Sequence, residues 1–254
     1  EKGYAEADPT LDIEGIDAAH KLSILSSLAY STYLPFDKIY VEGITKITDK
    51  EIQYAKEFGY VIKLLAIAKM TDSGIEARVH PSLIPERSIL ANVSDAFNGV
   101  YLVGDAVGPT LFYGQGAGGM PTASAVVADI IEAGQTAVGG LVNLKTGGWT
   151  KEESSEVEIS SIAEVKTRYY MRLVVRDQPS VLAEIGQALG DCQISIAAVT
   201  QKAPQTCDTV SLVIITHKAL EKNMDLAREK LSNLEVVGDD FTVIRIEELD
   251  FDNT

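Results

Sequence analysis

The C-terminal part of the chain alternates two hydrophobic periodicities in a regular order. RYYMRLVVRD (168–177) is apolar at every second position, as in a half-buried strand, whereas PSVLAEIGQALGDC (179–192) places its apolar residues on one helical face. Two β-branched runs, a second helical pattern and a last strand pattern follow at 194–201, 209–217, 219–234 and 241–249. The order βαββαβ predicts a four-stranded antiparallel sheet backed by two helices, the ferredoxin-like arrangement.

The N-terminal part mixes both periodicities. A long amphipathic helix is predicted from Asp12, a suitable N-cap, to Ser31. A short strand in KIYVEGI (38–44) is followed by a helix in TDKEIQYAKEFG (48–59), with Asp49 as candidate cap and Gly59 as its end.

Further along, VIKLLAIAKM (61–70) and IEARVHPSLI (75–84) are predicted to be strands that turn at TDSG. GVYLVGDAV (99–107) is another strand, and PTASAVVADIIEAG (121–134) is a helix with Pro121 in its first turn and Gly134 at its end. These patterns predict an α+β protein, with a mixed sheet covered by helices in this part.

A boundary is predicted at 137–166, where paired glycines give way to a run of Glu and Ser without clear periodicity. We therefore expect a domain at 1–138, a linker at 139–166 and a second domain at 167–250.

Composition narrows the possible partners. The net charge is −15, from 37 acidic and 22 basic residues, which argues against a nucleic acid or an anionic membrane as partner. No apolar run is long enough to cross a bilayer, and the polar start EKGYAEADP lacks the apolar core of a signal peptide. Cys192 and Cys207 suggest reduced thiols in a cytoplasmic protein. Because His20, His80 and His217 lie in separate segments, no metal site is expected.

The segment GQGAGG (114–119) matches the G-x-G-x-x-G pattern of dinucleotide-binding folds. A complete domain of that kind needs a following parallel strand and an acid about 20 residues further on, but position 139 is Gly. The pattern alone leaves two interpretations open: a backbone that lies close to a ligand, or a tight strand-to-helix turn.

The opening GYAEADPTLDIEGIDAAHK (3–21) is rich in acids and ends in a lysine. Asp17 and Lys21 are four residues apart and share one helical face. Taken alone, the pair is compatible with an ordinary surface salt bridge or with a cooperating catalytic pair.

This opening, together with VHPSLIPERSILANVSDAFNGVYLVGDAVGPTLFYGQGAGGMPTASAVVADI (79–130) and the βαββαβ tail, resembles homoserine dehydrogenase. The resemblance covers almost the whole chain. It implies the NAD- or NADP-dependent interconversion of L-homoserine and L-aspartate 4-semialdehyde in threonine and methionine biosynthesis. In the family, a Rossmann domain that holds the cofactor precedes these blocks. We expect no counterpart of it in these residues and therefore no activity from this chain alone.

The resemblance also assigns roles. Lys21 matches the catalytic lysine and Asp17 its partner, while Tyr4, Glu6 and Asp12 match the substrate-binding motif. Gly114, Gly116 and Gly118 match residues beside the nicotinamide, although Gln115 and Pro109 depart from residues common in the family.

The tail resembles an ACT domain, a regulatory module that binds amino acids at the turn between its first strand and first helix. The corresponding residues are Asp177, Gln178, Pro179, Ser180, Val181 and Leu182. Threonine is the expected effector, but Ser180 stands where a glycine would allow close backbone approach, so a module that only dimerises is the other possibility. A homodimer or homotetramer is expected. The alternative for the whole chain is a non-catalytic amino-acid-binding regulatory or dimerisation protein.

Overall fold

The computed structural model describes residues 8–95, 97–116, 118–139, 157–202 and 208–248. The α-helices are α1 (Thr10–Ile13), α2 (Ile16–Tyr30), α3 (Asp49–Glu57), α4 (Gly119–Val138), α5 (Val181–Asp191) and α6 (Glu221–Ser232). The strands are β1 (Tyr40–Val41), β2 (Tyr60–Thr71), β3 (Gly74–Pro85), β4 (Phe97–Gly104), β5 (Gly108–Gln115), β6 (Lys166–Arg176), β7 (Ile196–Gln201), β8 (Thr209–Thr216), β9 (Ala219–Leu220) and β10 (Val237–Ile246). Short 3₁₀ turns lie at Phe36–Lys38, Ile89–Asn92 and Ile162–Glu164. The predicted mixture of helices with a mixed sheet is confirmed.

The hairpin of β2 and β3 forms the N-terminal half of the main sheet. The two strands pair antiparallel along their whole length, from Tyr60 opposite Pro85 to Thr71 opposite Gly74, with the predicted turn between them. Most of β3 is buried and β2 is largely half-buried, because β2 is the outer strand on this side.

The other edge of β3 is paired with three short segments in succession. Ile159 bridges to Ile75, β1 pairs in parallel with β3 around Arg78, and the end of β10 pairs in parallel with Ser82 and Leu83. Because β10 continues into the C-terminal strands, the two predicted domains share one continuous sheet. The last part of the predicted linker, from position 157, lies against β3 and is not an unpaired tether.

The C-terminal strands are adjacent in the order β10-β6-β8-β7, all antiparallel, with α5 and α6 in the expected connections. Successive strand residues face opposite sides of this sheet. One side packs on α5 and α6 through a core that includes Tyr169, Met171, Leu173, Ile185, Leu212 and Met224. The other side packs on α3 through Ala55, Tyr170, Val213, Ile215, Ile244 and Ile246. Helix α3, from the N-terminal part, therefore covers the face that an isolated four-stranded sheet would leave open.

Three local predictions in the N-terminal part are wrong in detail. The long helix from Asp12 is broken, because Gly15 adopts a left-handed conformation (φ +77°) between α1 and α2, and Asp12 lies inside α1. Helix α3 is capped by Thr48, whose side chain and backbone form a capping box with Glu51. Helix α4 continues through Gly134 to Val138.

The sequence analysis also missed β5. The segment before the glycines forms a hairpin with β4, in which Asn98 pairs with Gly114. This two-stranded sheet is separate from the main one, and its apolar side chains Leu102, Val103, Phe112 and Tyr113 are exposed. Within the described ranges, no helix has the length and apolar character needed to cross a membrane.

Candidate active site

Helix α2 carries the predicted catalytic pair. Its N-terminus is fixed by Gly15, whose backbone is buried against β3; a Cβ there would lie 3.1 Å from Val79 Cγ1. The preceding turn is held from the other side, where the Ile44 amide donates to the Ile13 carbonyl at 2.9 Å. The position of α2 is therefore set by close backbone packing at its start.

The structure brings Asp17 and Lys21 into direct contact. Lys21 Nζ lies 2.6 Å from Asp17 Oδ2, and their side chains are 43% (Asp17) and 62% (Lys21) exposed. Ala19 and Leu22 on the same helix are buried against the sheet, so the helix presents the ion pair to solvent. An exposed ion pair contributes little to stability, about 0–1 kcal/mol. The fold therefore does not depend on this pair, and both side chains can be reached by a substrate.

The predicted substrate-binding residues are only partly described. Asp12 is exposed in the first turn of α1, and Tyr4 and Glu6 lie outside the described residues. Asp8 orders the entry to α1, because its Oδ1 accepts hydrogen bonds from the Thr10 amide (3.1 Å) and hydroxyl (2.5 Å). These bonds lower the pKa of the Asp8 carboxyl. The sequence Asp8-Pro9-Thr10 is the signal for this contact. Asp12 does not have the predicted capping role, because the N-cap of α1 is Pro9 and that of α2 is Gly15.

The three predicted cofactor-binding glycines have different surroundings. Gly114 is the penultimate residue of β5, and a Cβ added to it would have no atom within 4 Å. Gly116 packs against Asn98, since a Cβ would lie 1.9 Å from Asn98 Nδ2. Gly118 is the N-cap of α4 with φ +118°, a conformation that favours glycine. Open space and a helix N-terminus suit a ligand at Gly114 and Gly118, whereas Gly116 is explained by packing.

The predicted effector-binding turn connects β6 to α5. Asp177, Gln178, Ser180, Val181 and Leu182 line a depression of about 430 Å³, together with side chains of β7 and β8. Ser180, which stands in place of the glycine, is the N-cap of α5 in a left-handed conformation (φ +74°). The first intrahelical bond runs from the Glu184 amide to the Ser180 carbonyl, so the three amides between these residues precede the helical ladder.

The family model described as Homoserine dehydrogenase matches residues 1–131. This chain belongs to the homoserine dehydrogenase family.

Relatives agree with the family match. The homoserine dehydrogenase of Neisseria gonorrhoeae is 44% identical over 253 residues, which cover 97% of this chain and 57% of the relative. The crystal structure of a homoserine dehydrogenase from Thiobacillus denitrificans matches with a TM-score of 0.89 at 46% identity, covering 97% of this chain and 56% of that chain. The crystal structure of the S. aureus homoserine dehydrogenase at pH 7.0 matches with a TM-score of 0.66 at 28% identity, covering 97% of this chain and 57% of that chain. The chain thus spans a little over half the length of the homoserine dehydrogenases it matches.

Beyond the family motifs, buried arginines that the sequence analysis did not single out organise the region between β3 and the C-terminal strands. Arg78 Nη1 donates to Glu247 Oε1 at 2.7 Å and to His80 Nε2 at 2.5 Å. Since arginine stays protonated, His80 accepts at Nε2 and carries its proton on Nδ1, which faces the Pro81 carbonyl at 3.1 Å. Burial, then the positive charges of Arg245 and Arg78, hold the pKa of His80 well below its usual range.

Two more buried arginines lie on the C-terminal strands. Arg245 on β10 binds Glu221 at the start of α6 (2.5 Å) and Glu42 after β1 (2.8 Å). Arg172 on β6 binds Glu51 of α3 at 2.5 Å, and Asp240 through both terminal nitrogens. The signal in the sequence was an arginine between apolar residues of a predicted strand, but its partner could not be identified from local pattern.

Proposed function

We propose that this chain is the substrate-binding and catalytic half of a homoserine dehydrogenase. The reaction is the interconversion of L-homoserine and L-aspartate 4-semialdehyde with NAD or NADP, in the formation of threonine and methionine. The observation that supports this proposal best is the exposed Asp17–Lys21 ion pair on α2, in a chain of this family.

The chemistry needs a proton at the aldehyde oxygen when hydride reaches the neighbouring carbon, and anions that hold the substrate ammonium. Lys21 is the proton donor and acceptor, and Asp17 keeps its ammonium positioned. Asp12, Glu6 and Tyr4 bind the amino-acid end of the substrate. The nicotinamide cofactor supplies the hydride when bound; Gly114 and Gly118 approach it, and Gly116 positions the loop by packing on Asn98.

We further propose that a nucleotide-binding part, contained in the share of the relatives that this chain does not span, provides most cofactor contacts. The chain alone is then inactive. The exposed apolar residues of the β4–β5 hairpin and of α4, among them Phe112, Val126 and Ile130, support association into a homodimer or homotetramer. We propose the cytoplasm as the location of this assembly. One face of the C-terminal sheet is not available for self-association, because α3 covers it.

The test is Lys21→Ala in the full-length enzyme. We expect kcat to fall by about 10²- to 10⁴-fold, the usual loss for a general acid or base, with an unchanged urea midpoint. Lys230→Ala is the matched control, because Lys230 on α6 forms a similarly exposed pair with Asp191 at the end of α5, at 3.2 Å. A Lys21→Ala enzyme with near-normal kcat would show that another group transfers the proton. Glu6→Ala should instead raise mainly KM.

A second proposal concerns regulation: residues 167–250 form an ACT module that binds threonine at the turn from Asp177 to Leu182. The depression beside this turn and the free amides at the start of α5 support it, since they suit a carboxylate while Asp177 suits an ammonium. Calorimetry of threonine with the whole chain and with Asp177→Ala tests it. If neither protein binds threonine at millimolar concentration, the module only assembles subunits. If the two proteins bind threonine equally well, the binding site lies elsewhere. Amino-acid binding by this chain, together with no dehydrogenase activity in the full-length protein, would support the non-catalytic alternative.

A further inference from the structure

A cavity of about 420 Å³ lies where the C-terminal end of α3 meets the start of β6. Its walls come from both halves of the chain: Phe58, Tyr60, Pro85 and Glu86 from the N-terminal half, and Arg168 and Glu248 from the C-terminal half. Sites for small ligands usually measure about 300–1,000 Å³ and combine apolar walls with a few polar groups. This cavity has both properties.

Arg168 is the cation on which a ligand site here can be built. Its Nε donates to the Thr216 carbonyl at 3.2 Å and its Nη1 to Glu248 Oε1 at 2.6 Å, which fixes the plane of the guanidinium. Neither of these hydrogen bonds to described residues uses Nη2, and we assign its two donors to the ligand. The side chain is 25% exposed and hence reachable from solvent. Arg87 also lines the cavity but is already engaged in an interaction of its own.

The same cavity offers positions for a positive group. Glu86 and Glu248 line it, and it opens beside Gly59, just beyond the C-terminal end of α3, where the helix dipole favours a cation. No atom lies within 4 Å of a Cβ position at Gly59, so a ligand can approach the backbone there. Phe58, Tyr60 and Pro85 supply the apolar part of the lining.

We propose that this junction cavity binds a free α-amino acid with an apolar side chain. The carboxylate pairs with Arg168, the ammonium with Glu248 or Glu86, and the side chain packs on Phe58 and Tyr60. A simple anion is disfavoured because Glu248 contacts the arginine and Glu86 also lines the cavity. The cavity is distinct from the β6–α5 turn: Arg168 and Arg176 lie near opposite ends of β6, about 26 Å apart at the rise of a strand.

The experiment is isothermal titration calorimetry of the whole chain with L-leucine and L-phenylalanine at concentrations up to about 10 mM. L-Leucinamide lacks the carboxylate and N-acetyl-L-leucine lacks the ammonium, so each removes one predicted ion pair without any change to the protein. We expect binding of at least one free amino acid, and a loss of about tenfold or more in affinity for both blocked forms.

Two variants assign the site. Arg168→Gln should weaken binding by about tenfold or more, whereas Arg176→Gln, which changes the same residue type beside the other depression, should leave it unchanged. The proposal is overturned if neither amino acid binds, if the blocked forms bind equally well, or if Arg168→Gln binds as the parent does. Loss of binding in Arg176→Gln alone would assign the ligand to the turn. If Arg168→Gln fails to fold, the blocked ligands decide the question.

Discussion

Replacing Arg172 by methionine should destabilise the protein strongly, because it leaves a carboxylate buried without its cation. The Glu51 side chain is fully buried and the Arg172 side chain is 2% exposed, with Nε and Oε1 2.5 Å apart. Burial by itself raises the pKa of Glu51, but hydrogen bonds from Thr48 and Arg172 outweigh it, so the pKa is lowered. In the variant, the contacts to Thr48, the Thr242 hydroxyl and the backbone of Glu51 itself remain to offset burial.

Breaking a buried pair by removing one partner costs about 3–5 kcal/mol. The second partner of Arg172, Asp240, is 49% exposed, so its loss adds only about 0–1 kcal/mol. We therefore expect Arg172→Met to lower the free energy of unfolding by about 3–5 kcal/mol at pH 7. Lys50→Met is the control, since Lys50 approaches the same Asp240 at 3.9 Å but is 53% exposed; its loss should be about 0–1 kcal/mol.

Urea unfolding followed by circular dichroism measures both variants, together with Glu51→Gln and the double variant Glu51→Gln/Arg172→Met. If the pair acts as described, the double variant loses clearly less than the sum of the two single losses. Additive losses, or a loss in Arg172→Met no larger than in Lys50→Met, would refute the reasoning.

Three smaller predictions concern single positions and use the same unfolding assay. Ser180→Gly should raise the free energy of unfolding by about 0.5–1 kcal/mol, because Ser180 has φ +74° and glycine adopts that conformation without strain; a loss would contradict this. Gly15→Ala should lower the free energy of unfolding more than Gly59→Ala, although the φ angles of the two glycines are similar, +77° and +75°. The reason is that the new methyl group at position 15 would lie 3.1 Å from Val79, whereas the one at position 59 would meet no atom within 4 Å. Equal losses would show that backbone strain alone decides the effect. The lowered pKa of His80 means that the unfolded chain takes up a proton below about pH 6.5, whereas the folded chain does not. The contribution of His80 to the free energy of unfolding should therefore be fully present above that pH and should fall by about 1.4 kcal/mol per pH unit as the pH is lowered below it. His80→Gln should reduce this slope, and an unchanged slope would assign it to other groups.

The sequence by itself determined most of the local helices and strands and the spacing of Asp17 and Lys21. Period-2 and period-3.6 patterns depend on neighbouring residues, which is why the predicted β2–β3 hairpin is confirmed and why α5 and α6 lie in segments of helical periodicity. The two-residue strand β9 before α6 was not predicted. The spacing of Asp17 and Lys21 likewise predicted their contact, because residues four apart on a helix are neighbours. Local reasoning failed where one residue changes the backbone, as at Gly15, or where a strand lacks clear alternation, as in β5.

Only the tertiary structure decided how the two halves fit together. The pairing of β10 with β3, the cover that α3 provides for the C-terminal sheet, and the partners of Arg78, Arg172 and Arg245 all join residues far apart in the chain. No periodicity reports such contacts, because hydrophobic pattern tells which face of an element is buried but not what covers it. The partner of a buried charge is chosen by which elements pack together, and that choice is made by the whole fold.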